Sequence, residues 1–171
     1  MDGFKQIMLG ACIMAMSSVI HAQQAHDFKE LGSPAGHEQI AGWNIDVFPD
    51  GTGLPDGQGT VALGEKVYKT QCMSCHGVNL EGGLGPKLVG GQGSLTTDKP
   101  VKTIGSYWPY ATTIFDYVRR SMPFQSPQSL SNEDVYSVTA YLLSKNNIVP
   151  ADATLDAKSL RAVKMPNRDN F

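Results

Sequence analysis

Apolar residues recur at helical spacing in three stretches of the chain, and each stretch carries its own end signals. Between Thr60 and Gln71, Val61, Gly64, Val67 and Tyr68 fall near one face, and Thr60 stands where an N-cap belongs. Between Ala111 and Arg120, Ile114, Phe115 and Val118 share a face. Arg119 and Arg120 sit at its carboxyl end, where cations suit the helix dipole. The third stretch is the most fully punctuated. Ser131 is an N-cap with Asp134 in the capping-box position, and Leu130 and Val135 are placed as a hydrophobic staple. Val135, Val138, Leu142 and Leu143 then form an apolar side beside Tyr141, and the pattern runs out near Lys145-Asn146-Asn147. The pattern predicts an all-α domain with about three core helices. Gly64 is the odd residue in it, because glycine inside a helix costs about 1 kcal/mol relative to alanine. Either another backbone passes close to it or the helix tolerates it.

Between and around these helices the chain is irregular. Residues 77–91 hold so many glycines that no stable helix is expected there, and backbone is free to approach a flat apolar ligand closely. No strand precedes this run and no phosphate-binding pattern follows it, so it does not read as a nucleotide loop. Ser121-Met122-Pro123-Phe124 ends the second helix. Four divisions result: 1–22 a leader, 23–59 an amino-terminal extension, 60–149 the helical domain and 150–171 a tail. The extension is expected to lie on the domain as an arm, with Trp43 and Phe48 as its apolar pegs. The tail is polar, with one helical turn expected around Ala157 to Val163.

The leader has the form of a secretory signal peptide, with Lys5, a mostly apolar run from Ile7 to Ile20, and Ala22 at a cleavage position. The run is short for a transmembrane helix, which needs about 20 apolar residues. Leu9-Gly10-Ala11-Cys12 also resembles a lipoprotein cleavage box, but apolar residues continue past Cys12. The net charge of −2 offers no basic footprint for nucleic acid. An exported chain, soluble or complex-bound in the periplasm, is the expectation.

Chemistry concentrates in Cys72-Met73-Ser74-Cys75-His76. Two cysteines at this spacing, with histidine directly after, read as a c-type haem attachment site. Each thiol adds to one vinyl group, and the histidine is carried to where its Nε2 can ligate iron. A thioredoxin-like pair would want a βαβ context, and a zinc site would need four ligands. Neither is visible around these residues. Export also bears on the pair: exported cysteines ordinarily oxidise to a disulfide, and haem attachment gives both thiols another fate.

A second axial ligand would close the iron. Met122 fits, at a helix end 46 residues after His76, with Pro123 stiffening the exit. Met165, also followed by proline, is the rival, and Met73 lies within the attachment site itself. His/Met ligation raises the reduction potential and suits electron transfer, with a ring edge near Cys72 and Cys75 left exposed. An open iron site for peroxide or small-ligand chemistry is the alternative, and a thiol redox module a more distant one.

Residues 60–149 resemble class I cytochromes c, through the Gly64/Tyr68 helix, the Cys72–His76 site, the Gly85-Pro86 turn, the Ser121-Met122-Pro123 loop and the Tyr141 helix. The resemblance implies that fold, with helices wrapped round one covalent haem c. It also implies that the Pro86 carbonyl accepts the Nδ1 hydrogen of His76, and that Tyr107 and Trp108 bond to the haem propionates. Ala41 to Val47, Pro100 to Tyr110, Phe115 to Phe124 and Lys164 to Asp169 are similar, more narrowly, to the cytochrome subunit of the Sox sulfur dehydrogenase. There is likeness also to cytochrome partners of molybdenum sulfite dehydrogenases. These imply a molybdenum dehydrogenase subunit as electron donor and a downstream cytochrome or oxidase as acceptor. Some members of that group carry two haems, whereas this chain has one attachment site.

Overall fold

A computed structural model describes residues 31–170. The expected leader and the first residues of the extension lie outside the described residues. The chain divides into two compact units, residues 1–40 and 41–171. Helix α1 (His37–Ala41) lies at the end of the first and buries no residue.

The second unit begins its regular structure with β1 (Gln58–Thr60), α2 (Val61–Gln71) and the single turn α3 (Met73–His76). A 3-10 turn at Ser94–Thr96 precedes α4 (Ala111–Ser121) and α5 (Asn132–Lys145), and β2 (Thr154–Asp156) leads into α6 (Ala157–Ala162). The three expected helices are α2, α4 and α5, and the N-caps of α2 and α5 act as read. Thr60 Oγ1 accepts from the Leu63 amide at 3.1 Å. Ser131 Oγ accepts from the Asp134 amide at 3.1 Å, and Asp134 Oδ2 accepts in return from the Ser131 amide at 3.4 Å. Each such cap satisfies amides that the first helical turn leaves without a partner.

Packing then orders the helices. α2 lies against α5, and α4 packs on α5 as well. Tyr68, Phe115, Val135, Tyr136, Val138 and Leu143 are all fully enclosed. Each large side chain so buried contributes about 1.5–3 kcal/mol. Two ring pairs span the helix contacts, Tyr68 with Tyr141 at 5.3 Å between centroids and Phe115 with Tyr136 at 4.5 Å. Gly64 sits where α2 meets α5. A methyl built there would overlap the Ser137 carbonyl oxygen and come within 2.8 Å of Tyr141 Cβ. Close passage of another backbone, not tolerance, explains the glycine.

Two features depart from the sequence pattern. β1 and β2 pair antiparallel, Gln58 with Asp156, Gly59 with Leu155 and Thr60 with Thr154. Three-residue strands are too short to show alternation, so this link from the start of α2 to the tail left no periodic signal. The tail is less polar in effect than in composition, since Leu155, Leu160 and Met165 join the core. The second departure is the arm. Trp43 and Phe48 were the expected pegs, yet they are 86% and 57% exposed, and Val47 is the buried residue. Successive side chains of an extended segment point to opposite sides, so burying Val47 turns Phe48 outward.

Candidate functional site

Cys72 caps the carboxyl end of α2, and the chain winds tightly on from it. The amides of Cys75 and His76 both donate to the Cys72 carbonyl, at 3.1 and 3.0 Å, and the Gly77 amide donates to Met73 at 3.0 Å. One turn earlier, the Tyr68 hydroxyl donates to the Gly77 carbonyl at 2.6 Å and ties the exit of that turn to α2. The result sets Cys72, Cys75 and His76 on the wall of one cleft of about 590 Å³. The two thiols are free rather than joined. Burial, with Cys75 beside it, pushes the Cys72 thiol up to about 11. A thiol-exchange nucleophile has its pKa shifted the opposite way. Among the described residues, no three His, Cys, Asp or Glu side chains converge as a metal-holding group.

The His76 ring has one available tautomer. Its Nδ1 lies 2.8 Å from the Pro86 carbonyl oxygen, which can only accept, so Nδ1 carries the hydrogen and the Nε2 lone pair is left for a metal. Gly85 makes room for this arrangement. A methyl there would stand 2.9 Å from Cε1 and 3.0 Å from Nδ1 of the ring. The Gly85-Pro86 pair thus seats the imidazole through an absent side chain and a carbonyl.

Other elements complete the cleft. Ile114, Tyr117 and Val118 come from α4, Met122 from its carboxyl cap, and Val138 and Leu142 from α5. The Met122 amide donates to the Val118 carbonyl at 3.0 Å, so the residue leaves the helix from a fixed point. Leu84 and Phe124 also line the cleft while remaining 93% and 78% exposed, which places them at its rim. An imidazole nitrogen, a thioether and two thiols in a largely apolar slot match the donor set and the flat apolar body of haem c.

The expected residues separate on inspection. Cys72, Cys75, His76, Pro86, Trp108 and Met122 all line this cleft, and Tyr107 is not among its lining residues. The Tyr107 ring lies instead under the Lys102 ammonium, 4.9 Å from its centroid, and Lys102 does reach the cleft. Met165 is buried in the core, away from the lining. Reading the sequence missed Lys102 and Tyr117, isolated residues without a motif, and the two rim side chains. Phe124, directly after Met122-Pro123, was the one with a signal.

Tyr68 adds a pH dependence. Burial raises its phenol to about 12, and Tyr136, also buried, is likewise raised to about 12. In the unfolded chain both ionise near 10. Folding stability from these phenols is therefore full below pH 10 and is lost as pH rises towards 12. Denaturant melts at pH 9, 10.5 and 11.5 should show a steady fall, smaller in Tyr68→Phe than in the parent chain.

Comparisons with known proteins bear on the family and the fold. Residues 61–146 match the family model described as Cytochrome c. A chain in the crystal structure of the sulfane dehydrogenase SoxCD from Paracoccus pantotrophus is 49% identical, with a TM-score of 0.78, over 82% of this chain and 70% of that one. The thiosulfate dehydrogenase of Stutzerimonas stutzeri strain A1501 is 29% identical over 169 residues, 98% of this chain and 52% of its own length. The chain thus spans about half the length of that curated relative.

Proposed function

The chain belongs to the cytochrome c family, and from that premise we propose that it is an exported single-haem carrier serving a sulfur-compound dehydrogenase. It takes electrons one at a time from a molybdenum subunit that oxidises sulfane sulfur or sulfite, and passes them to a further cytochrome or an oxidase in the periplasm. Covalent haem c is the family's cofactor, and Cys72 and Cys75 fit its attachment motif. Bound haem supplies one reversible electron. The chain's residues do the rest. His76, held in one tautomer by Pro86, would hold the iron through Nε2, and Met122 would hold it through its thioether. Trp108, which lines the cleft, is assigned to the propionates, whereas Tyr107 stands outside the lining. Export rests on the pattern of residues 1–22, and among the described residues no helix is long and apolar enough to cross a membrane.

The observation that carries this reading is the meeting of a tautomer-locked imidazole and a thioether in one apolar cleft that also holds both thiols. Ligation by both side chains would leave no open position for substrate and would suit the bound group to electron transfer. The likeness to SoxCD supports the donor class. The likeness to a thiosulfate dehydrogenase supports a second reading, in which the chain itself oxidises a sulfur compound at its haem.

One experiment separates the two. Oxidised holoprotein is mixed anaerobically with a purified molybdenum sulfane dehydrogenase subunit and its sulfur substrate. The carrier reading expects one electron per chain, delivered at the rate of turnover, and no reduction by substrate alone. Reduction by thiosulfate without the molybdenum subunit would establish the second reading and end the first.

A further inference from the structure

Helix α4 carries two stripes of opposite use. Ile114, Tyr117 and Val118 face the cleft. Thr112, Asp116, Arg119 and Arg120, spaced i, i+4, i+7 and i+8, form the other stripe. Along that second stripe runs the arm. Thr112 Oγ1 donates to the Pro49 carbonyl at 3.0 Å, and the Val47 amide donates to Asp116 Oδ1 at 2.8 Å. Arg119 Nη1 donates to the Ile45 carbonyl at 3.1 Å, and Arg120 Nη1 lies 3.4 Å from Asp46 Oδ1.

The register is antiparallel, the arm descending from 49 to 45 as the helix rises from 112 to 120. The lengths agree. Four extended residues span about 13 Å, and eight helical residues about 12 Å. This strap therefore matches the helix from its first turn to the turn before Met122. Its far end is anchored elsewhere, since the Tyr136 hydroxyl on α5 donates to the Pro55 carbonyl at 2.8 Å.

Asp116 is the centre of the latch. It is buried, and beyond the Val47 amide it accepts from Arg120 Nε at 2.9 Å and Nη2 at 2.5 Å. A buried carboxylate bears a desolvation penalty that an apolar residue of similar size would avoid. What the carboxylate adds is direction, because its bond from the Val47 amide holds only at one setting of helix against strap, while the two bonds from Arg120 lie within α4 and fix the carboxylate itself. A slip of one residue along a helix moves a side chain by about 1.5 Å and turns it by about 100°.

We propose that the strap, residues 45–49 latched through Asp116 and Arg120, sets the axial and rotational position of α4 and so holds the Met122 sulfur at the haem iron. Asp116 and Arg120 are positioning residues, and the strap is a second layer behind the ligand. The proposal rests on the reading of Met122 as axial ligand.

The test uses ferric holoprotein and two readouts, the sulfur-to-iron charge-transfer band and the rate of cyanide uptake. In Asp116→Ala the band weakens and cyanide enters about tenfold faster, the size expected when a buried amide loses its acceptor. Asp116→Asn keeps an acceptor for Val47 but not the charge facing Arg120, and falls between. Leu155→Ala, a core change on β2, is the stability control. It lowers the melting temperature while leaving band and cyanide rate as in the parent. If Asp116→Ala yields no folded holoprotein, Thr112→Val, which removes one latch bond, shifts both readouts in the same direction. Cyanide uptake unchanged in the latch variants, or raised equally in Leu155→Ala, overturns the strap while leaving the ligand in place. A parent protein with no charge-transfer band overturns the ligand reading and the strap with it.

Discussion

Met122→Ala is expected to lower the reduction potential of the holoprotein by about 0.2 V, a quarter of the roughly 0.8 V that axial ligation spans. A thioether favours the ferrous state, so its loss favours the ferric one. The sulfur-to-iron charge-transfer band of the oxidised protein should vanish, and cyanide, whose uptake by the parent should be slow, should bind at once. Met122 leaves α4 at a point fixed by the Val118 carbonyl and lines the cleft together with His76. Met165→Ala is the comparison. That side chain is buried in the core, so its removal should cost about 2–5 kcal/mol of stability with the band and the potential nearly unchanged. Redox titration and near-infrared absorption of the two variants decide the matter, and a potential that moves with Met165 instead would refute the assignment.

Gly64→Ala is expected to destabilise the fold by about 3 kcal/mol, with a fall in Tm of about 6–12 °C. Two effects compete at this position. Alanine would improve helix propensity by about 1 kcal/mol. Its methyl, however, would collide with the Ser137 carbonyl and stand within 2.8 Å of Tyr141 Cβ. A backbone carbonyl in the middle of a helix cannot turn aside, so α2 and α5 must separate along a contact that includes the Tyr68–Tyr141 ring pair. Packing outweighs propensity. Because Cys72 caps α2, the separation also disturbs the attachment turn, and the yield of holoprotein should fall with the melting point. A rise in Tm of a few degrees would mean that the helices can adjust and that propensity wins.

Much of this protein was legible along the chain because its signals are local. The capping box at Ser131 and Asp134 needs four residues, and the N-cap at Thr60 needs as many. The attachment site needs five. The covalent haem and the α-helical core follow from such stretches. Legibility failed where partners lie far apart in the chain. β1 and β2 join residues 58–60 to 154–156, and the strap joins residues 45–49 to a helix more than sixty residues on. Asp116 and Arg120 look like an ordinary i,i+4 ion pair of a helix surface. Nothing near them announces that Val47 shares their carboxylate. Phe48 misled because hydrophobicity names a candidate for burial but not the side of an extended segment that will face the core.

What the sequence by itself determined is the chemistry: two thiols and an imidazole spaced for haem, and helices able to enclose it, all set by covalent spacing and by hydrogen bonds within a few residues. Only the tertiary structure placed these parts against one another. It put Met122 and not Met165 in the cleft, made Gly64 a contact rather than a concession, seated His76 on the Pro86 carbonyl, and laid the arm along α4. Those choices depend on which distant segments exclude each other's volume and satisfy each other's polar groups, and no stretch of chain carries that information alone.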